Sequence, residues 1–313
     1  MTIVLFPDTI DDEPDLPPGS RLIRYAPGAP LPEGADEAEV LVVWTLDPRT
    51  LTDLVALPRL RLVQTLAAGP DAVLAAGFAP SVQVASGRGL HDAPVAEHVL
   101  ALTLSLVRRL PAMRRAQDER RWARELGGVQ PLHPPGPVTT LIDAHVTIWG
   151  FGSIGVRLAG LYATLGAHVT GVATHGGDRS GFPVVADDSP GDLLPGTDVL
   201  VGLLPATPAT RHTLGARVFD LLPDHAYVVN AGRGATLDEA ALLAALRGGR
   251  LAGAALDVFE TEPLPADSPL WAEPDVLVSP HAAGGRPIGA GALVADQVAR
   301  LLSGAPLGNL VPR

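Results

Sequence analysis

The sequence contains no cysteine in its 313 residues. Disulfides, thiolate nucleophiles, iron–sulfur clusters and cysteine zinc sites are therefore excluded. Lysine is absent as well, because all 23 residues counted as Lys+Arg are Arg. That removes Schiff-base and pyridoxal-type catalysis and the lysine of a phosphate-gripping P-loop. No apolar run reaches the ~20 residues needed to cross a bilayer. The start, MTIVLFPDTIDDEPD, runs apolar then acidic, the reverse of a signal peptide's order, so the cytoplasm is the expected location. A net charge of −11 argues against nucleic acid as a partner, since neutralising phosphates needs a basic face. The locally basic RRLPAMRRAQDERRWAR is interrupted by Asp118, Glu119 and Glu125 and reads as a solvated or inter-subunit helix.

Hydrophobic residues make up 47% of the chain and charged residues 18%, a globular balance with length for two domains. In the first part TIVLF, RLIRY, EVLVVW, LRLVQTL and VQVA read as strands, with RTLTDLVAL as a helix between two of them. DLPPGS and APGAPLPEGA are surface loops. From Asp92 a long apolar helix is expected over DAPVAEHVLALTLSLVRRL. A second α/β series follows, with strands HVTIWG, HVTGVA, DVLVGLLP, AYVVNAG, LAGAALDVF and DVLVSPH. Such continuous Val/Leu/Ile strands belong to a sheet covered on both faces. A last helix is expected over about Pro287 to Leu302, with no strand after it.

HVTIWGFGSIGVRLAGLYATLGAHVTGVA runs strand, Gly150-x-Gly152-x-x-Gly155, helix, strand. In that setting Gly150 permits the tight turn and Gly152 the approach of a pyrophosphate. Gly155 lets helix and strand pack closely, and the helix N-terminus receives the phosphates. A dinucleotide fold does not name a reaction. The loops after later strands bear on that, and they carry ionisable groups: Arg233 in VVNAGRGATLDE, Glu262 in LDVFETEPLP and His281 in VLVSPHAAGG.

These stretches, with VAEHVLALTLSLVRR, LLPATPATRHT and NAGRGATLDEAALLAAL, resemble the D-isomer-specific 2-hydroxyacid dehydrogenase family from roughly Gly69 to Gly285. The resemblance implies two Rossmann-like or flavodoxin-like parallel-sheet α/β domains with a cleft between them. Residues 1–92 plus 286–313 would form the substrate domain and 93–285 the dinucleotide-binding domain. It implies an NAD(P)-dependent enzyme of the glyoxylate/hydroxypyruvate reductase kind, moving a hydride between nicotinamide and C2 of a small 2-oxo or 2-hydroxy acid. His281 would be the acid/base, Glu262 its partner and Arg233 the ligand of the substrate carboxylate and carbonyl, where a forked guanidinium suits planar oxygen pairs. Glu260 is equally acidic, and family spacing selects Glu262. The first-domain loop LAAGPD would hold the carboxylate on amides of Ala68 and Gly69, while Pro70 has no amide to offer. Arg88 and His91 would lie near the same cleft.

The resemblance also implies cofactor contacts from Gly150, Gly152, Ser153, Ile154 and Gly155, from Leu204, Pro205, Thr207 and Ala231, and from Asp257 to the nicotinamide carboxamide. An alternative for Asp257 is a loop cap, and for Thr207 ordinary Thr-Pro turn chemistry. NAD-preferring relatives end the second strand with an Asp; here that position is Ala173. Thr174, His175 and Arg179 follow, opposed by Asp178, which favours NADP(H) over NAD(H). A homodimer through the central domain is expected. A formate dehydrogenase relative would carry an amide at Glu262, and a non-catalytic dinucleotide sensor of the same fold is the alternative from another class.

Overall fold

In the computed structural model, which describes residues 1–188 and 190–312, the chain divides into two units. Met1–Asp92 joins Gly284–Arg313 in the first, and Ala93–Ala283 is the second. In the first unit β1 (Thr2–Pro7), β2 (Ser20–Tyr25), β3 (Ala38–Val43), α1 (Pro48–Val55), β4 (Leu62–Thr65), α2 (Asp71–Ala75) and β5 (Gln83–Ala85) follow in order. The strands pair in parallel as β2-β1-β3-β4-β5. Alternation along the strands sends Ile3, Leu5, Leu41 and Val63 to a core with Leu54 of α1. Val4, Phe6, Val40, Val42 and Leu62 face the opposite way. Each such side chain, once fully buried, contributes about 1.5–3 kcal/mol. Asp47 starts α1 by accepting the Arg49 amide (2.8 Å), with Pro48 at the first helical position.

The second unit begins with α3 (Asp92–Val107) and α4 (Leu110–Asp118). The sequence reads as one helix through Leu110, but Arg109 turns left-handed at φ 55 and a new helix starts. Pro111 is the physical reason, since it has no N–H for the Val107 carbonyl and its ring would meet that turn. Then come β6 (His145–Trp149), α5 (Ser153–Thr164), β7 (His168–Ala173), β8 (Gly177–Arg179), β9 (Phe182–Ala186), β10 (Val199–Gly202), α6 (Ala216–Phe219), β11 (Tyr227–Asn230), α7 (Glu239–Arg247), β12 (Gly253–Leu256) and β13 (Val276–Val278). The sheet order is β13-β12-β11-β10-β6-β7-β9-β8, parallel except for β8 against β9. Val95, Val99, Leu102 and Leu106 of α3 and Leu158 of α5 pack with Ile148, Val201, Val229 and Ala255. Leu200, Val228, Ala254 and Leu256 instead pack with Phe219 of α6 and Leu242 of α7. No helix among the described residues is long and apolar enough to cross a membrane.

After Ala173 the chain forms the β8–β9 hairpin, which the apolar pattern of the sequence does not mark. Its connecting residues Ser180 and Gly181 both have positive φ (57 and 84), the geometry of a tight hairpin turn. The Gly181 amide donates to Asp178 Oδ1 (3.0 Å), so Asp178 closes that turn.

The last helix, α8, spans Ala290–Ser303 and starts later than expected, with left-handed Gly289 (φ 84) as its N-cap. Ala290, Val294, Val298 and Leu301 cover the second face of the first sheet. The tail does more than trail away. Leu310 bridges Ala85, the Val311 amide donates to the Val84 carbonyl (2.9 Å) and the Ser86 amide to the Asn309 carbonyl (2.9 Å). An edge strand has unpaired groups that invite such a partner.

Candidate active site

The ionisable loops are brought together by neighbouring strands. Asn230 of β11, Leu256 of β12 and Val278 of β13 lie in register, and the loops carrying Arg233, Glu262 and His281 leave that carboxyl edge. Carboxyl edges are where open parallel sheets bind ligands. Gly234 is required for the approach of two of these loops, because a Cβ there would lie 1.8 Å from the Phe259 carbonyl oxygen. Half-buried Arg233 is held by its main chain: its carbonyl accepts Thr236 Oγ1 (2.7 Å) and Asn230 Nδ2 (3.4 Å). One guanidinium nitrogen donates to the Gly232 carbonyl (2.9 Å).

His281 Nδ1 lies 2.7 Å from Glu262 Oε2, with the imidazole 47% and the carboxylate 36% exposed. Since a carboxylate only accepts, Nδ1 is the donor and Nε2 is the nitrogen able to exchange a proton with a ligand. The other Glu262 oxygen accepts the Phe259 amide (3.0 Å), fixing the carboxylate. Glu260 is occupied elsewhere. It accepts the Glu239 amide (3.2 Å), Glu239 accepts the Glu260 amide (2.7 Å), and His212 Nε2 is 3.2 Å from Glu260. Burial pushes the Glu239 carboxyl above its usual range; the Glu260 amide opposes this and the Glu260 charge adds to it.

Asp257 is fully buried. Its Oδ1 accepts Ser279 Oγ (2.6 Å) and the Ala282 amide (2.8 Å) and lies 3.2 Å from His98 Nε2; its Oδ2 accepts the Ala283 amide (3.1 Å). Its carbonyl accepts the His281 amide (2.8 Å). His281 itself is left-handed at φ 51, a conformation that costs a non-glycine residue about 1 kcal/mol. Most of the acceptor capacity of Asp257 is thus used on the His281 loop. Sequence reasoning missed His98 and Ser279; the available signal was a histidine in an otherwise apolar helix, VAEHVLAL.

The glycine fingerprint fits a dinucleotide. Gly150 has φ +97 and a Cβ there would be 2.6 Å from the Leu203 carbonyl carbon, so only glycine allows this turn. A Cβ on Gly152 would meet nothing within 4 Å, which leaves room beside the N-terminus of α5, opened by Ser153 and half-buried Ile154. Gly155 backs onto Phe151 and Ile148. Ala173 ends β7 half-buried, with Thr174, His175 and Arg179 exposed beyond it. The Arg179 guanidinium donates to the Phe151 carbonyl, inside the fingerprint itself. Buried Leu204, exposed Pro205 and half-buried Ala231 follow β10 and β11. The Thr207 hydroxyl is engaged in its own turn with Thr210 Oγ1 (2.9 Å).

In the first unit exposed Ala68 and half-buried Gly69 follow β4. The loop before them is braced: the Ala67 amide donates to Thr65 Oγ1 (3.1 Å), its carbonyl accepts the Gly87 amide (2.8 Å), and His91 Nε2 donates to the Leu66 carbonyl (2.7 Å). His91 is buried and stacked on Trp44, and Arg88 donates to Asn309 Oδ1 (3.1 Å), so both have structural engagements.

Comparison with known proteins places this arrangement. The model of the D-isomer specific 2-hydroxyacid dehydrogenase NAD-binding domain matches residues 100–283. Glyoxylate/hydroxypyruvate reductase A of Klebsiella pneumoniae is 47% identical over 124 residues, a stretch covering 39% of this chain and 40% of that protein. The Escherichia fergusonii protein of the same name is 32% identical over 291 residues, 89% of this chain and 87% of that one. The crystal structure of an NADPH-dependent glyoxylate/hydroxypyruvate reductase from Sinorhizobium meliloti, in complex with NADP and sulfate, matches with a TM-score of 0.81 at 30% identity. That match covers 99% of this chain and 98% of the other. The chain belongs to the D-isomer specific 2-hydroxyacid dehydrogenase family.

Proposed function

We propose that this protein reduces small 2-oxo acids such as glyoxylate, hydroxypyruvate or pyruvate to D-2-hydroxy acids, with NADP(H) preferred over NAD(H). The observation that carries the reading is the 2.7 Å pair of His281 Nδ1 and Glu262 Oε2 on the loop edge that also holds Arg233. The reduced nicotinamide supplies the hydride to C2. Arg233 binds the 2-oxo acid and polarises its carbonyl, which develops negative charge at oxygen during reduction. His281 Nε2 gives its proton to that oxygen and takes it back in the reverse direction, while Glu262 holds Nδ1 and keeps the ring oriented. The amides of Ala68 and Gly69 are proposed as a further carboxylate ligand.

Gly150, Gly152, Ser153, Ile154 and Gly155 would hold the pyrophosphate at the α5 terminus. Asp257 is proposed to face the carboxamide with its remaining acceptor capacity, and Leu204, Pro205, Thr207 and Ala231 to flank the cofactor. The preference for NADP(H) is supported by the lack of a carboxylate at Ala173, by Arg179 beside the fingerprint, and by Asp178 being engaged in its own turn. The homodimer reading is supported by large apolar side chains on and after α4: Leu110, Met113, Trp122 and Val129 are all exposed.

A panel of 2-oxo acids assayed with NADPH and with NADH, following nicotinamide oxidation, tests the reading. Turnover of at least one acid, fastest with NADPH, is expected. Tight cofactor binding with no turnover on any acid would replace it with the sensor reading.

A further inference from the structure

We propose that His98, on α3, is a positioning residue that holds the catalytic loop in shape through Ser279 and Asp257. The proposal rests on the reading of His281 as the acid/base.

The direction of the hydrogen bonds follows from the inventory of hydrogens. Ser279 has a single hydroxyl hydrogen, and it is given to Asp257 Oδ1 at 2.6 Å. Its contact with His98 Nε2 at 2.8 Å is therefore one in which the imidazole donates and the hydroxyl accepts. The same Nε2 lies 3.2 Å from Asp257 Oδ1, so one N–H serves both groups. The order runs from imidazole to hydroxyl to carboxylate, each donor orienting the next.

Asp257 then fixes successive residues of the loop. Its carbonyl takes the His281 amide (2.8 Å), its Oδ1 the Ala282 amide (2.8 Å) and its Oδ2 the Ala283 amide (3.1 Å). Those contacts hold His281 at φ 51, where a side chain is unfavourable unless its surroundings impose it. Without the His98 donor, Ser279 and Oδ1 lose a fixed partner and the carboxylate is free to rotate. The amides of Ala282 and Ala283 must follow it, and the imidazole of His281 drifts from its reactive geometry. Packing does not account for the histidine: the neighbouring Val95, Val99 and Leu102 of α3 serve the apolar core, while His98 is 27% exposed and turned to two polar groups.

Three variants separate the possibilities. H98M keeps much of the volume and has no donor, H98Q places an amide nitrogen near the position of Nε2, and H281A reports on the acid/base reading. Measured are kcat with a 2-oxo acid and NADPH, the NADPH dissociation constant by fluorescence, and the melting curve. We expect H98M to lose about 100-fold in kcat, the scale of a roughly 1 Å misplacement of a reacting group. Its NADPH affinity weakens modestly, since Asp257 holds only the carboxamide end of the cofactor, and H98Q recovers most of the rate. If H98M fails to fold, S279A, which removes the relaying hydroxyl, is expected to lower kcat with a native-like melting curve. H98M, or in its place S279A, at wild-type kcat overturns the proposal, as does H98Q impaired to the same degree as H98M. Wild-type turnover by H281A would instead remove the reading on which it rests.

Discussion

Two carboxylate–imidazole pairs are built in opposite ways: Asp257 and Glu262 share the loop after β12, but His281 comes from the loop after β13 and His98 from α3. Glu262 and His281 are open to solvent at 36% and 47% exposure, and the carboxylate spends its second oxygen on one amide. Asp257 and His98 are at 1% and 27%, and that carboxylate is surrounded by a hydroxyl, an imidazole and two amides. An open pair can exchange a proton with a ligand, because neither partner is committed on every side. A closed pair cannot, but every donor it engages fixes a piece of backbone. The same chemical pairing is thus open to a ligand in one place and committed to its neighbours in the other.

The sharpest way to break this comparison is His281→Ala. Loss of a positioned acid/base is expected to lower kcat by about 10²–10⁴-fold. Its melting curve and NADPH affinity should match the wild type, as the exposed ring anchors little. A variant that loses stability in parallel would place His281 with the structural pair.

Asp257→Asn probes the other member. One acceptor oxygen becomes an amino group facing donors it used to receive, so a buried donor is left unsatisfied. The expected destabilisation is about 1–3 kcal/mol. In a domain of this size each kcal/mol lowers the melting temperature by about 2–4 °C. Calorimetry on the two variants side by side should show a large rate loss with no melting shift for His281→Ala, and a melting shift for Asp257→Asn. Equal melting of Asp257→Asn and wild type would contradict the role of Asp257 as a structural hub. Glu262→Gln is the milder test of the open pair: the amide oxygen can still accept from Nδ1, but the charge facing the imidazole is gone. A fall of about tenfold in kcat, or roughly 1.4 kcal/mol, is expected, with no change in melting.

The open pair was legible in the sequence, whereas of the closed pair only Asp257 was singled out and His98 was not. Arg233, Glu262 and His281 each follow a strongly hydrophobic strand, where open parallel sheets bind ligands, so position narrows the candidates, and it was the family resemblance that chose Glu262 over Glu260. His98 and Ser279 meet only because α3 packs across the sheet, a contact between residues far apart in sequence with no periodic signature. The fold shows the same divide. The central strands could be read because burial on both faces makes them continuous apolar runs. The β8–β9 hairpin was hidden because Gly177–Arg179 is polar and exposed, held by a turn and not by an apolar face. The break before α4 was readable in principle from Pro111, whose missing N–H outweighs the helical pattern around it.

That hairpin also carries the smallest effect and the finest distinction. Ala173 pairs with Ala186 at the end of β7, and the chain then loops into β8, whose Arg179 reaches back to the Phe151 carbonyl. A carboxylate at 173 would accept from a ribose 2′-hydroxyl and repel a 2′-phosphate, which Ala173 neither holds nor repels. Ala173→Asp is therefore expected to shift the ratio of kcat/KM for NADPH over NADH by about tenfold toward NADH, equivalent to some 1.4 kcal/mol. Arg179→Ala should act in the same direction by weakening NADPH alone. Since neither residue touches the His281 loops, kcat at saturating cofactor should stay level in both. A loss of kcat in Ala173→Asp without a change in cofactor ratio would mean that the β7 end shapes the fingerprint instead of reading the ribose.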